Sequence, residues 1–557
     1  MATAPVDRED LKPGRSERTA GGPPPTAVES FIRSAVESSG CDGVMLNMSG
    51  GIDSSLTAAL TTAAVGRNAV YGLCQPTLAS PTTAVADATT MASRLDIPFD
   101  TIDLQPVVDL FEDEIAPLIA TDGDRHAIGN AVGRIRMACV YFMANARNRL
   151  VIGTTNRTER TLGYVTKYGD SAVDCAPLRA WDKSTIRHHA NAYNVPTEII
   201  QKPPTAGLWA GQTDRTQLGA PYELLDPICH LLSRSDTSPK RIAEIVGCER
   251  SLAKMCAQQF HETAHKRRPP RHTGRSILPG DTVRPPNTSH KTATPLRSRL
   301  KRALSRTLRT TDRSGYVVRM DGRKRSSTLT ALAASAVGPD RIYGLILPCG
   351  AEGQSNTHDA VSVAETIGIP HTTVDCAPLV SRLLDVLPDR WTNGATERTL
   401  ENVRERVRAV CAYHAANTTD RLVVGDLSRP AWLLGAFTKH GNGAADFLPF
   451  TGLFETELDQ LARTLGLPGA IDRSVPPDCA SALNTETLDQ IVWQLVDVNG
   501  GIDRTAAECG LDREQLERCA RAHLESQHKR RRPRGPTSSH TPRETYFHEL
   551  ELLIGQC

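Results

Sequence analysis

The sequence predicts an α/β protein made of two tandem, doubly wound parallel sheets. Two observations carry that expectation. Short apolar runs alternate with helical stretches along the chain, which is the pattern of parallel strands joined by right-handed crossover helices. A shift of 272 residues also lays the first half on the second without a gap for well over a hundred residues. Gly43-Val44-Met45-Leu46-Asn47-Met48 falls on Gly315-Tyr316-Val317-Val318-Arg319-Met320, Arg149-Leu150-Val151-Ile152-Gly153 on Arg421-Leu422-Val423-Val424-Gly425, and Thr166-Lys167 on Thr438-Lys439.

Within the first copy the elements follow in order. Val44–Met48 is an apolar run before a glycine turn and predicts a buried strand. Ser54–Val65 carries an Ala/Leu stripe and predicts a helix. Ala69–Cys74 is a strand, Thr83–Leu95 a helix and Phe99–Leu104 a strand. Asn130–Asn148 is a helix carrying Arg134, Met137 and Tyr141, and Leu150–Thr154 is a strand. Ligands of such sheets sit beyond the carboxyl ends of the strands, so the loops after Met48, Cys74 and Gly153 should surround one crevice.

Near the end the shift drops by nine, so that His265-Lys266-Arg267-Arg268 meets His528-Lys529-Arg530-Arg531. The second copy has lost residues opposite the stretch from Ala206 to Tyr222. The expected organisation is a disordered tail over 1–27, a first copy over 28–270, a Pro-, Ser-, Thr- and Arg-rich linker over 271–299, a second copy over 300–533 and a C-terminal tail over 534–557.

Composition sets outer bounds. In 557 residues, 65 Lys and Arg face 63 Asp and Glu, a net charge of +2 that argues against a nucleic-acid coat or an acidic tail protein. No apolar run approaches membrane-spanning length, and the N-terminus has no apolar core of a secretory signal. The 14 cysteines form no CxxC pair, which favours reduced thiols in a cytoplasmic protein. A helix pair within Thr237–Arg268 with a basic end has the look of a DNA-binding motif, but both copies carry it, so no nucleic-acid partner is expected.

The chemistry begins at Ser49-Gly50-Gly51-Ile52-Asp53-Ser54-Ser55. Two glycines let backbone N–H groups approach an anion, and the next helix adds its positive end. Asp53 is a second negative charge in a phosphate cradle, which makes sense if it holds Mg²⁺. The loop is not a Walker motif, so a P-loop kinase or GTPase is disfavoured. Taken alone it could be a Gly-Gly turn before a serine-capped helix.

SGGxDS resembles the pyrophosphatase loop of the N-type ATP pyrophosphatases, whose fold is Rossmann-like, of the adenine nucleotide alpha hydrolase type. Gly153–Pro177, GTTNRTERTLGYVTKYGDSAVDCAP, resembles the ammonia-dependent NAD synthetases within that superfamily. So do Gly129-Asn130 with Arg134 and Arg136, the stretch Lys202–Asp214, and His265-Lys266-Arg267.

The resemblance implies amidation of deamido-NAD with ammonia, driven by ATP and Mg²⁺ through an adenylated intermediate. It places Ser49, Gly50, Gly51, Asp53, Ser54, Ser55, Thr154, Lys183 and Thr205 on ATP, and Asp53 and Glu159 on Mg²⁺. It places Arg134, Lys167, Asp174, His265 and Lys266 on deamido-NAD, and makes Asp53, Asp174 and Lys183 catalytic. The stretch 202–222 would be a lid. The sequence departs from the family pattern at Ser171-Ala172, Val132 and Arg215.

In the second copy Ser49, Gly51, Asp53, Thr154, Glu159 and Lys183 correspond to Asp321, Arg323, Arg325, Asp426, Ala431 and Glu455, so the ATP and metal groups are gone. Asn402, Arg406, Arg408, Lys439, Asp446, His528 and Lys529 are retained. Members of the family are homodimers with shared deamido-NAD sites. This implies a covalent pseudo-dimer, monomeric or weakly oligomeric, in which one site works and Asn402 and Arg406 of the second copy contribute to it. No glutaminase segment is recognised, so ammonia is expected free or from a separate donor protein. The alternatives are another ATP-pyrophosphatase amide ligase or a nucleotide-binding regulator.

Overall fold

The computed structural model describes residues 22–120, 125–209, 211–234, 237–272, 293–350, 354–467, 478–481, 483–498 and 500–536. The first half forms a parallel sheet of β1 (Gly43–Asn47), β2 (Val70–Cys74), β3 (Phe99–Thr101) and β4 (Arg149–Ile152), in the order β3-β2-β1-β4. The second half repeats it. β6 (Gly315–Met320), β7 (Ile342–Ile346), β8 (His371–Thr373) and β9 (Arg421–Val424) are extended by β10 (Phe447–Leu448) and by β5 (Arg271–His272), in the order β5-β10-β9-β6-β7-β8. The registers match across the repeat: Val44 lies opposite Val70, as Tyr316 lies opposite Ile342.

The strands are near-continuous apolar runs because helices cover both faces. On one face of the first sheet Val44, Leu46 and Leu56 join the Pro25–Ser39 and Ile52–Val65 helices. On the other face lies the Arg125–Ala146 helix. Its counterpart, Glu397–Thr418, packs directly against it, and the two halves share one apolar core that runs from Met45 and Phe142 to Val317, Val410 and Tyr413.

The contact between the halves is reciprocal, as a two-fold interface requires. Lys167 pairs with Asp446, and Lys439 pairs with Asp174. Arg134 lies 4.7 Å from the ring centre of Tyr413, and Arg406 4.7 Å from that of Tyr141. The edges are exchanged too. β5, from the end of the first copy, joins the sheet of the second, with the Arg271 N–H donating to the Asp446 carbonyl at 3.0 Å. Arg534, from the end of the second copy, bridges Cys175 beside β4, and the Ala176 N–H donates to its carbonyl at 2.7 Å.

Several expectations shift. The first helix starts at Pro25, inside the stretch assigned to the tail, with Trp181 Nε1 donating to the Pro23 carbonyl at 2.8 Å. The strand expected over Phe99–Leu104 ends at Thr101, because the backbone turns toward a short helix at Gln105-Pro106 while Ile102 and Leu104 stay buried. The expected linker over 271–299 begins in β5 and ends inside the Ala293–Thr311 helix. Arg534, assigned to the C-terminal tail, is an edge residue of the first sheet. The remainder of both tails and 273–292 fall outside the described residues. Among the described residues no helix is long and apolar enough to cross a membrane. Thirteen cysteines are described, all free.

Candidate active site

The turn after β1 is fixed by one glycine and left open by the next. Gly50 has φ +71, and a Cβ there would meet the Ala84 carbonyl oxygen at 2.4 Å. Gly51 has φ −94, and a Cβ there would meet only Ser49 Oγ, at 3.4 Å. The backbone therefore demands glycine at 50 but not at 51, and the bare Gly51 leaves room for a ligand at the start of the Ile52–Val65 helix. Ser54 braces the turn. Its Oγ accepts the Ser49 N–H at 3.2 Å and donates to the Gly51 carbonyl at 3.0 Å. Ser55 is buried inside the helix and its Oγ makes no hydrogen bond.

Below this turn three charged groups meet. Lys183 begins the helix after Trp181-Asp182, and its Nζ donates to Asp53 and, at 3.3 Å, to Glu159 Oε1. Asn156 joins them: its Nδ2 donates to Asp53 Oδ1 at 3.0 Å, and its Oδ1 accepts the Glu159 N–H at 2.9 Å as the cap of the Arg157–Leu162 helix. Tyr222 donates to Asp214 Oδ2 at 2.7 Å and reaches Glu159 Oε1 at 3.4 Å, with Lys183 Nζ 5.1 Å from its ring centre.

Burial lifts the Glu159 carboxyl to about 8, against the pull of Lys183 and with the push of Asp53. Burial works to lower the ammonium of Lys183, but Asp53 and Glu159 override it and raise it. Because burial disfavours the charged form of Glu159, a cation placed beside it and Asp53 would favour ionising it.

A cavity of about 480 Å³ opens above these residues at the carboxyl ends of the strands. Ser49, Gly51, Asp53, Thr154, Glu159, Lys183, Thr205 and Lys266 line it. Gly50, Ser54 and Ser55 shape the turn instead. Thr205 Oγ1 donates to the Gln212 carbonyl at 2.7 Å and accepts the Gly207 N–H at 3.1 Å, folding the 202–209 stretch across the opening. Lys202 ties that stretch down through Asp87 at 2.7 Å. Lys266 Nζ donates to the carbonyls of Gly163 and Val165, each at 2.8 Å.

The other residues expected on deamido-NAD lie elsewhere. Arg134 is buried between the halves, with its Nε donating to the Lys167 carbonyl at 3.0 Å. Arg406 does the same to Lys439 at 3.2 Å and also reaches Asn145 Oδ1 at 3.1 Å. Asp174 accepts the Val151 N–H at 2.8 Å, faces Lys439, and is held down to about 2: burial opposes this, but Lys439 and His528 outweigh it. His265 stands beside Lys167 and Asp446. Asn402 accepts from Thr438 Oγ1 at 2.7 Å and lines a separate cavity in the second half. Sequence reasoning missed Asn156, Asp214 and Tyr222. Asn156 carries the signal of an N-cap three residues before Glu159, but its second role, on Asp53, is visible only in three dimensions.

In the second half the ion pair is kept with its polarity reversed. Arg325 donates to Glu455 at 3.3 Å, where Asp53 and Lys183 meet in the first half, and Ser428 also donates to Glu455. Gly322 keeps φ +70, with the Asn356 carbonyl 2.3 Å from a Cβ placed there, whereas the position of Gly51 holds Arg323 at φ −90.

The family described as NAD synthase matches residues 26–270 and again 296–533. The NH3-dependent NAD(+) synthetase of Thermococcus kodakarensis is 38% identical over 243 residues, covering 44% of this chain and 93% of that protein. The namesake from Methanosarcina acetivorans is 36% identical over 244 residues, covering 44% and 94%. A solved NMN synthetase from Francisella tularensis is 28% identical over 46% of this chain and 99% of its own, with a TM-score of 0.38. With both halves matched and relatives covered almost end to end, the chain belongs to the NAD synthase family.

Proposed function

We propose that the first half catalyses the ATP-dependent amidation of deamido-NAD with ammonia, giving NAD, AMP and pyrophosphate. The observation that carries this is the meeting of Asp53, Glu159 and Lys183 beneath the Gly50-Gly51 turn, in a chain whose relatives are named NH3-dependent NAD(+) synthetases.

Two carboxylates converging on one cation are a hard oxygen donor pair that fits Mg²⁺, an ion that completes its sphere with phosphates and water. The donors would be Asp53 and Glu159, the two carboxylates that meet at Lys183. When bound, Mg²⁺ supplies positive charge to the triphosphate.

The chain's own groups do the rest. Gly51 and the first N–H groups of the following helix receive phosphate oxygens. Lys183 offsets the repulsion as the carboxylate of deamido-NAD attacks the α-phosphorus and pyrophosphate leaves. Ammonia then attacks the acyl carbon of the adenylate and AMP departs. The 202–209 stretch, with Thr205, keeps water from that anhydride.

The second half serves as a built-in partner. It has exchanged the metal carboxylate for an arginine, yet it supplies Asp446, Lys439 and the Arg534 edge to the interface. Lys167, Asp174, Arg134 and His265 then act on deamido-NAD from that interface, with Asn402 and Arg406 opposite.

The test is purified protein with deamido-NAD, ATP, Mg²⁺ and ammonium, read as NAD, AMP and pyrophosphate. Equimolar formation of the three is expected. ATP cleavage without NAD would point to another carboxylate substrate, and ligand binding without turnover to a regulator.

A further inference from the structure

We propose that the cavity of the second half is a binding site for a small polyphosphate-bearing anion, held by arginine and requiring no metal. The cavity is not a collapsed remnant. It measures about 1180 Å³, against about 480 Å³ in the first half, and it lies at the carboxyl ends of β6, β7 and β9, where open parallel sheets bind ligands.

Carboxylates were gained as well as cations, with Asp321 for Ser49, Asp426 for Thr154, Glu401 for Gly129 and Glu405 for Gly133, but the balance of the lining is positive. Four cationic side chains face four carboxylates around the first cavity, whereas nine face six around the second. Gly51, His126 and Gln258 correspond to Arg323, Arg398 and Arg521 in the second half.

The floor neutralises itself. Glu405 takes Arg408 at 2.7 Å and Arg319 at 3.1 Å, and Glu455 takes Arg325 at 3.3 Å. Arg323, Arg398, Arg521 and Lys529 remain, with Asp321, Asp426, Asp478 and Glu525 in the same lining, and Lys529 Nζ also donates to the Gly435 and Phe437 carbonyls at 2.7 and 2.8 Å. Arg323 Nε is buried without a hydrogen bond, its carboxylate neighbour Asp321 standing 4.0 Å away. Arg398 and Lys529 press like charge on like, with Asp478 opposing, and burial with Arg398 lowers Lys529 to about 8. An anion would relieve that repulsion.

Guanidinium forks pair with phosphate oxygens two at a time, and several spaced around one cavity suit a chain of linked phosphates better than a single small ion. The positions of Asp53 and Glu159 hold Arg325 and Ala431, so the charge that a divalent cation brings elsewhere is supplied here by side chains. The site lies in the other half from Asp53, Glu159 and Lys183, and none of the four cations is among the residues proposed for amidation; Asn402 lines the cavity and is the one residue that the two readings share.

The test is titration calorimetry of the full chain with inorganic pyrophosphate in excess EDTA. Saturable binding is expected. Arg398→Glu with Arg521→Glu, both exposed positions, should weaken it about tenfold or more, while Lys183→Met in the first cavity leaves it unchanged. Circular dichroism of the double variant controls for folding. No saturable binding, or binding lost in Lys183→Met and kept in the double variant, would overturn the proposal.

Discussion

Asp53 and Lys183 are useful as single residues because the same chain contains their inverse. Asp53→Asn keeps the shape and the Asn156 contact but removes a charge from the pair proposed to hold Mg²⁺. We expect turnover to fall by about a hundredfold or more, with an unchanged circular dichroism spectrum; parent-level NAD formation by that variant would remove Asp53 from the mechanism. On the other side, Glu455→Gln leaves the Arg325 guanidinium half-buried with no full partner. Breaking such a pair should cost about 3 kcal/mol, seen as a lower midpoint in urea, and Arg325→Met with Glu455→Met should recover most of the loss. If the single and double variants unfold together, the reversed pair contributes nothing to stability. The motif residues of this site were legible because most are contiguous, as in 153–177. The roles of Asp214 and Tyr222 were not, since both lie in the stretch read as a lid and meet Glu159 and Lys183 only once it is folded.

At the level of elements, the alternation of strand and helix was legible from apolar runs, and the strand ends were not. Ile102 and Leu104 are as buried as strand residues, so burial alone prolonged β3 on paper, while backbone direction ended it. Edge pairing was also invisible, because Arg271-His272 and Arg534 carry no apolar pattern and lie in segments that composition marks as linker and tail. Their role can be measured. Ending the chain at Arg532 removes the hydrogen bonds from Ala176 to Arg534 and from Arg179 to Pro533, at 2.7 Å each. The loss should be about 2 kcal/mol, with faster amide exchange around Cys175 in the first half. Exchange confined to the second half would mean the bridge is incidental.

The whole molecule titrates through its middle. His414 is fully buried on the long helix at the interface, edge-on to Phe111 with ring centres 5.1 Å apart. Burial, with Arg134 nearby, lowers it to about 4. His440, between Tyr141 and Tyr168, is lowered by burial and by Lys439. Unfolded histidine titrates near 6.5, so below that value the unfolded chain binds more protons than the folded one. Stability contributed by the neutral imidazoles is complete above about pH 6.5 and falls as the pH drops toward 4. Melting scans should show this acid slope, and His414→Phe should flatten it; an unchanged slope in that variant would assign the effect to other groups. On the proposed reading one chain should bind a single Mg·ATP. The halves are equivalent in fold, and only the first keeps Asp53 and Glu159. Equilibrium dialysis finding two equivalent magnesium-dependent sites would contradict the division of labour.

The exchanged edges set an order of assembly during synthesis. A ribosome delivers the first copy early, with β1 to β4 complete, but the residue that bridges Cys175, Arg534, belongs to the far end of the second copy. Until Glu397–Thr418 emerges the long Arg125–Ala146 helix has no partner to cover it, and until Arg534 emerges the first sheet has an open border. Late, long-range closure of this kind is slow and leaves sticky surface exposed on nascent chains. The half proposed to be catalytic is thus made first and finished last, and a premature stop far downstream of every motif in 49–266 would still reach it.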